Sequence, residues 1–77
     1  LEPLNCPNTG TPVPGGLRYG ELEHLISMVV KSGRKVIGFD LVEVGDSKNG
    51  WDANVGARVL YNLCGALLAS QGKIEYR

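Results

Sequence analysis

The run Val36-Ile37-Gly38-Phe39-Asp40-Leu41-Val42 constrains this chain more than any other feature. It is nearly all apolar, the pattern of a strand covered on both faces, whereas a half-exposed strand would alternate. Such a strand needs parallel neighbours on both edges, because its backbone N–H and C=O groups must be paired. The rest of the sequence offers no second strand. The expectation is therefore a piece of a larger α/β domain, or a chain that folds only against other copies or chains.

Two helices flank that run. Residues 1–16 hold all four prolines and read as an ordered loop without regular structure. Pro7, Pro12 and Pro14 lack backbone N–H groups, which excludes a central strand or a helix interior there. A helix is predicted over roughly 18–32, where Leu22, Leu25, Ile26, Val29 and Val30 form one apolar stripe. Glu21, Glu23 and His24 lie toward its polar side, Lys31 sits in its last turn, and Gly33 stops it. After a polar connection from Gly45 to Gly50, Asp52 is the expected N-cap of a long helix ending near Ser70. Val55, Val59, Leu63, Ala66 and Leu67 make one stripe, and Ala53, Ala57, Leu60, Cys64 and Leu68 nearly fill the opposite side. This helix is expected to be largely buried. Lys73 to Arg77 reads as a short polar tail.

Bulk properties narrow the function classes. Seventy-seven residues make at most one small domain with a marginal core. Eight basic residues balance eight acidic ones, so no charge excess points to nucleic acid or an anionic membrane. No apolar run approaches the roughly 18 residues that span a bilayer. The chain opens Leu1-Glu2-Pro3 with no basic segment and no Met, so an origin inside a longer, cytoplasmic protein is expected. Cys6 and Cys64 are far apart and form no CxxC or Cys/His cluster; both are expected to be reduced.

The candidate chemistry lies in Thr9-Gly10-Thr11-Pro12-Val13-Pro14-Gly15-Gly16 and in Glu43, just past the strand. A carboxylate leaving the carboxyl end of a buried parallel strand sits where open α/β sheets bind ligands. Each residue also has a plainer reading. Glu43 could be a solvated loop acid, Thr11 a brace for its own turn, and Asp40 a buried acid paired with a backbone donor. His24 is a lone surface histidine. Gly15-Gly16 before a helix suggests phosphate, but the Lys-Ser/Thr of a P-loop and the third glycine of a dinucleotide fingerprint are missing.

Together with Gly38-Phe39-Asp40-Leu41-Val42-Glu43-Val44 and Trp51-Asp52-Ala53-Asn54-Val55-Gly56-Ala57-Arg58, the loop resembles the ureohydrolase superfamily of arginase, agmatinase and formimidoylglutamase. The helix start looks most like the formimidoylglutamase and arginase-like branch. The resemblance covers nearly the whole chain. It implies that residues 1–77 are the C-terminal part of a single domain with a three-layer, doubly wound and mostly parallel α/β fold. It further implies a two-manganese hydrolase that splits a C–N bond of a guanidino or formimino compound. The family's metal ligands are His and Asp residues, the last pair an Asp-x-Asp just before the position of Leu1, so none is expected in this chain. Carried over residue by residue, Glu43 matches the glutamate that pairs with the cationic substrate, a fit for a carboxylate facing forked N–H donors. Thr11 matches a threonine facing the substrate nitrogens, and Asp40 is expected to support the site from behind. Glu2 departs from the Asp common in the family's Leu-Asp-Pro turn. The partners implied are the small-molecule substrate, the rest of the domain and other copies of the chain, with neither nucleic acid nor membrane. The segment alone is expected to be inactive. The competing expectation is a non-catalytic α/β packing or interaction module that has lost the metal site.

Overall fold

A computed structural model describes residues 1–46 and 48–76; the expectations for Ser47 and Arg77 lie outside the described residues. The element order is a long N-terminal loop, helix α1 (Tyr19–Lys31), a non-helical connection, and helix α2 (Trp51–Ser70). The two helices pack on each other, and the loop and the connection lie over the first turns of α2.

The ends of α1 follow local chemistry. At its start the Arg18 N–H donates to Glu21 Oε1 at 2.9 Å, half of a capping box. At its end Gly33 has φ 81°, the left-handed conformation of a C′ residue, and its N–H donates to Val30 O at 3.2 Å. The predicted stripe divides in two. Ile26 is buried, with Leu22 and Val30 half-buried, while Leu25 and Val29 on the neighbouring row are 47% and 48% exposed. Residues four apart share a row, and α2 covers only one row.

Helix α2 begins two residues earlier than expected. Gly50 is the N-cap, and Asp52 lies inside the first turn, where its acid still suits the helix dipole. The side chain of Asp52 does not cap its own helix; it is fully buried and turned toward the N-terminal loop. At the other end the Lys73 N–H reaches back to Leu68 O at 2.9 Å, a Schellman-type closure with Gly72 at φ 77°. Val59 and Ala66 are buried, as the first stripe requires. The opposite side is not: Ala53, Ala57, Leu60, Cys64 and Leu68 are exposed, since no described segment packs closely over them. The expectation of a largely buried helix holds for one face only.

The connection is where expectation and structure differ most. Among the described residues no strand is present. Val36 lies beside the end of α2, with its N–H donating to Ser70 Oγ at 2.8 Å and its carbonyl accepting from Gln71 Nε2 at 2.9 Å. Val44 lies against Gly56, 3.1 Å from where a Cβ there would stand. The stretch therefore runs the length of α2 in the opposite direction. Gly56 and Ser70 are about 21 Å apart along the helix axis at 1.5 Å per residue. Only an extended backbone covers that with the residues available. The path is strand-like, but a strand also needs a ladder, and Ile37–Val44 make no hydrogen bond among the described residues. Ile37 is 92% and Val42 69% exposed. No partner strand exists among the described residues, so the predicted strand is extended backbone and not sheet.

Among the described residues, no helix is long and apolar enough to cross a membrane.

Candidate functional site

A cleft of about 420 Å³ opens between the proline-rich loop, the end of the extended segment and the start of α2. Thr9, Thr11, Pro12 and Val13 line one side. Leu41, Val42, Glu43 and Val44 line the other, and Val55, Gly56 and Val59 form its floor. Glu43 and Thr11, separated widely in sequence, thus share one cleft.

Glu43 arrives there with an unusual backbone. Its φ is 61°, and it is the non-glycine residue with positive φ among those described. An L residue in that region costs roughly 1–3 kcal/mol and persists where the surroundings over-determine it. The turn swings the carboxylate across the loop: a methyl group placed on Gly10 would stand 3.9 Å from Glu43 Oε2. Glu43 is exposed and free to accept from a ligand.

The loop opposite is held from within and from α2. The Thr11 N–H donates to Thr9 Oγ1 at 3.3 Å, so the hydroxyl bracing the turn belongs to Thr9. No hydrogen bond engages the Thr11 hydroxyl among the described residues. Glu2, the departure from the usual Leu-Asp-Pro turn, fits without disruption. Its carbonyl accepts from Asn5 N at 2.8 Å and Cys6 N at 3.2 Å, and its Oε2 accepts from Gly15 N at 3.1 Å.

Two residues at the start of α2 grip this loop. Trp51 Nε1 donates to Asn5 O at 2.9 Å. Asp52 takes a fork of two bonds from Asn8, from its backbone N–H to Oδ2 at 2.9 Å and from its side-chain amide to Oδ1 at 3.0 Å. A buried carboxylate has to be satisfied in this way. Cys6, also buried, lies near the same carboxylate. Its ionisation is pushed above the ordinary thiol range, by burial first and then by the Asp52 charge and the hydrogen bond to it, against a smaller opposing pull from the N-terminal ammonium. Cys6 is thus a packed thiol whose ionisation is disfavoured.

Other expectations fall elsewhere. Asp40 is exposed and does not line the cleft. His24 is exposed on α1. Among the described residues no group of three or more His, Cys, Asp or Glu side chains stands close enough to hold a metal ion. A second concavity, of about 500 Å³, lies by Tyr61, Cys64, Leu68 and Tyr76 at the far end of α2, away from Glu43. Sequence reasoning missed Asn8, Asp52 and Gly56 as parts of the site. Asp52 resembled an ordinary cap, and Asn8 an ordinary turn residue; only their meeting across 44 positions gives them meaning.

Known proteins supply the frame for this geometry. The chain is 32% identical to an N(1)-aminopropylagmatine ureohydrolase of Thermus thermophilus over 65 residues, which is 84% of this chain and 22% of that protein. It is 39% identical over 62 residues to a protein of the same name from Thermococcus kodakarensis, covering 79% of this chain and 21% of the relative. An agmatinase of Pyrococcus horikoshii is 37% identical over 60 residues, 77% of this chain and 21% of its own length. The chain thus spans about a fifth of the length of the curated relatives it matches. No solved structure matches it. The family implies an arginase-like α/β fold, of which the described residues contribute two helices and an extended segment. A sequence model of the arginase family matches residues 1–65, the loop, α1, the extended segment and most of α2, and this chain belongs to that family.

Proposed function

We propose that this chain is the C-terminal part of a ureohydrolase domain and supplies the substrate-side wall of its active site. The reaction is hydrolysis of a C–N bond in a guanidino compound of the agmatine type, with release of urea. A formimino compound, releasing formamide, is the neighbouring possibility within the same chemistry. The observation that carries this reading is the Glu43 carboxylate, turned into the cleft by a left-handed backbone and facing the Thr11 loop. A guanidinium is planar and presents parallel N–H donors, which a carboxylate accepts in pairs. Thr11 offers a free hydroxyl to the remaining nitrogens. Asp40 is proposed to support the site from behind once the neighbouring strands are in place.

Two manganese ions are proposed for the intact domain, bound by residues outside this chain. The ligating side chains lining the cleft are one carboxylate, one thiol and two hydroxyls, with no imidazole. That set does not fit a two-metal centre, and the work of these residues is binding and orientation. A cytoplasmic homo-oligomer completes the proposal. The relatives' names favour the guanidino side, since agmatine is a guanidino amine.

The test is direct. The full-length polypeptide carrying this segment is assayed with agmatine, N(1)-aminopropylagmatine, arginine and formiminoglutamate, scoring urea and formamide. Glu43→Gln should lower kcat/KM for the preferred substrate by about tenfold to a hundredfold, with manganese content unchanged. Residues 1–77 alone should show no turnover. Activity of Glu43→Gln within twofold of the parent would remove the pairing role.

A further inference from the structure

Both walls of the cleft are hung from the same two turns of α2. On one side, the Asp52 carboxylate is fully buried and takes two hydrogen bonds from Asn8, at 2.9 and 3.0 Å. Asn8 is three residues before Thr11. On the other side, Val44 rests on Gly56, with its two methyl carbons 3.1 and 3.2 Å from where a Cβ would stand. Val44 is the residue after Glu43. Positions 52 and 56 are one helical turn apart on one face, about 6 Å along the axis. The two walls also meet each other at a point just behind the cleft, where a Cβ at Gly45 would overlap the Asn8 carbonyl.

We infer that Asp52 and Gly56 are positioning residues that set the distance between Thr11 and Glu43 and thereby the fit of the planar cation between them. Asp52 fixes the height of the loop through Asn8. Gly56 fixes the height of Glu43, because a Cβ there would crowd the Val44 methyl carbons and push Val44 outward by a few tenths of an ångström. A rigid helix turn is a better gauge than either wall, since Glu43 sits in a backbone conformation that other contacts must hold. The inference rests on the reading that Glu43 pairs with substrate.

The experiment uses the full-length polypeptide, with agmatine as substrate and three readouts: kcat/KM, manganese content and melting temperature. Asp52→Leu removes both acceptors and Asn8→Asp sets two carboxylates against each other, so each should lower kcat/KM about tenfold; a displacement near 1 Å is enough to cost up to about a hundredfold. The reciprocal double variant, Asp52→Asn with Asn8→Asp, rebuilds the fork with roles exchanged and should recover to within about threefold of the parent. Gly56→Ala should cost about tenfold in the parent and less than about twofold in a Glu43→Gln background, since there is then no ion pair to misplace. If Gly56→Ala does not fold, the reciprocal exchange decides alone. Folded, manganese-loaded single variants with parental kcat/KM overturn the positioning role, as does an equal Gly56→Ala penalty in both backgrounds. Parental activity of Glu43→Gln itself overturns the pairing reading and this inference with it.

Discussion

Trp51 and Asn5 are joined by an indole N–H that donates to a carbonyl oxygen at 2.9 Å, across 46 positions of chain. With the neighbouring Asp52 it makes the first turn of α2 a two-point hold on the N-terminal loop. A net intramolecular hydrogen bond contributes about 1 kcal/mol. Trp51→Phe keeps the ring and deletes the donor, so the full-length protein should lose about 1 kcal/mol of stability in urea unfolding. An unchanged midpoint would show that this bond forms at no net gain over water.

Glu43 sets stability against function. Its φ of 61° is disfavoured for any residue with a Cβ and costless for glycine. Glu43→Gly should therefore leave the melting temperature unchanged or raise it, by up to about 1 kcal/mol of stability, while abolishing turnover. Glu43→Gln keeps the strained backbone and should show no such gain. A Glu43→Gly protein less stable than the parent would mean that the carboxylate itself holds the turn.

The two threonines of the loop separate cleanly. Thr9 accepts from the Thr11 N–H and Thr11 itself has an unengaged hydroxyl. Thr9→Val should lower thermal stability with modest effect on the activity of the folded fraction. Thr11→Val should do the reverse, costing about 1 kcal/mol in transition-state binding with the melting temperature held. Interchanged phenotypes would place the bracing hydroxyl on Thr11.

Alkaline conditions should weaken the fold through three groups. Cys6, Tyr19 and Tyr76 all ionise less readily in the folded chain, each chiefly because of burial. For Cys6 the Asp52 charge adds to this, and for the two tyrosines the Glu23 charge does. An acid whose folded ionisation is raised favours the folded state fully below its unfolded value and loses that contribution as pH climbs to its folded value. Urea midpoints should thus be flat through neutrality and fall from roughly pH 8.5 upward, where free thiols begin to ionise. Cys6→Ala should delay the onset into the tyrosine range. A midpoint rising through that window would contradict the burial of these groups.

Much of the fold could be read from spacing. The limits of α1, its stop at Gly33 and the end of α2 near Ser70 all follow from a 3.6-residue period and glycine at a left-handed position. Where spacing misled, long-range partners were the cause. Asp52 has the chemistry of a cap, but Asn8 claims its carboxylate and Gly50 takes the cap position. The stripe on α1 contains two rows, and only the presence of α2 decides which row is buried. The apolar run 36–42 announces a buried strand, yet strand identity is a property of pairs and no pair is found among the described residues. The meeting of Thr11 and Glu43 in one cleft was legible because both were tied to the loop and strand end. The hub that holds them, at Asn8 and Asp52, was not.

Among the described residues, the extended segment from Ile37 to Val44 keeps its backbone donors and acceptors uncommitted on both edges. Two fates compete for such a segment. Sliding into a slot already shaped by the remainder of a domain is first order in protein, whereas pairing with the same segment of another molecule is second order. Dilution favours the first and crowding the second. During synthesis, whichever process is faster at the local concentration determines whether these residues end in a sheet or in an aggregate.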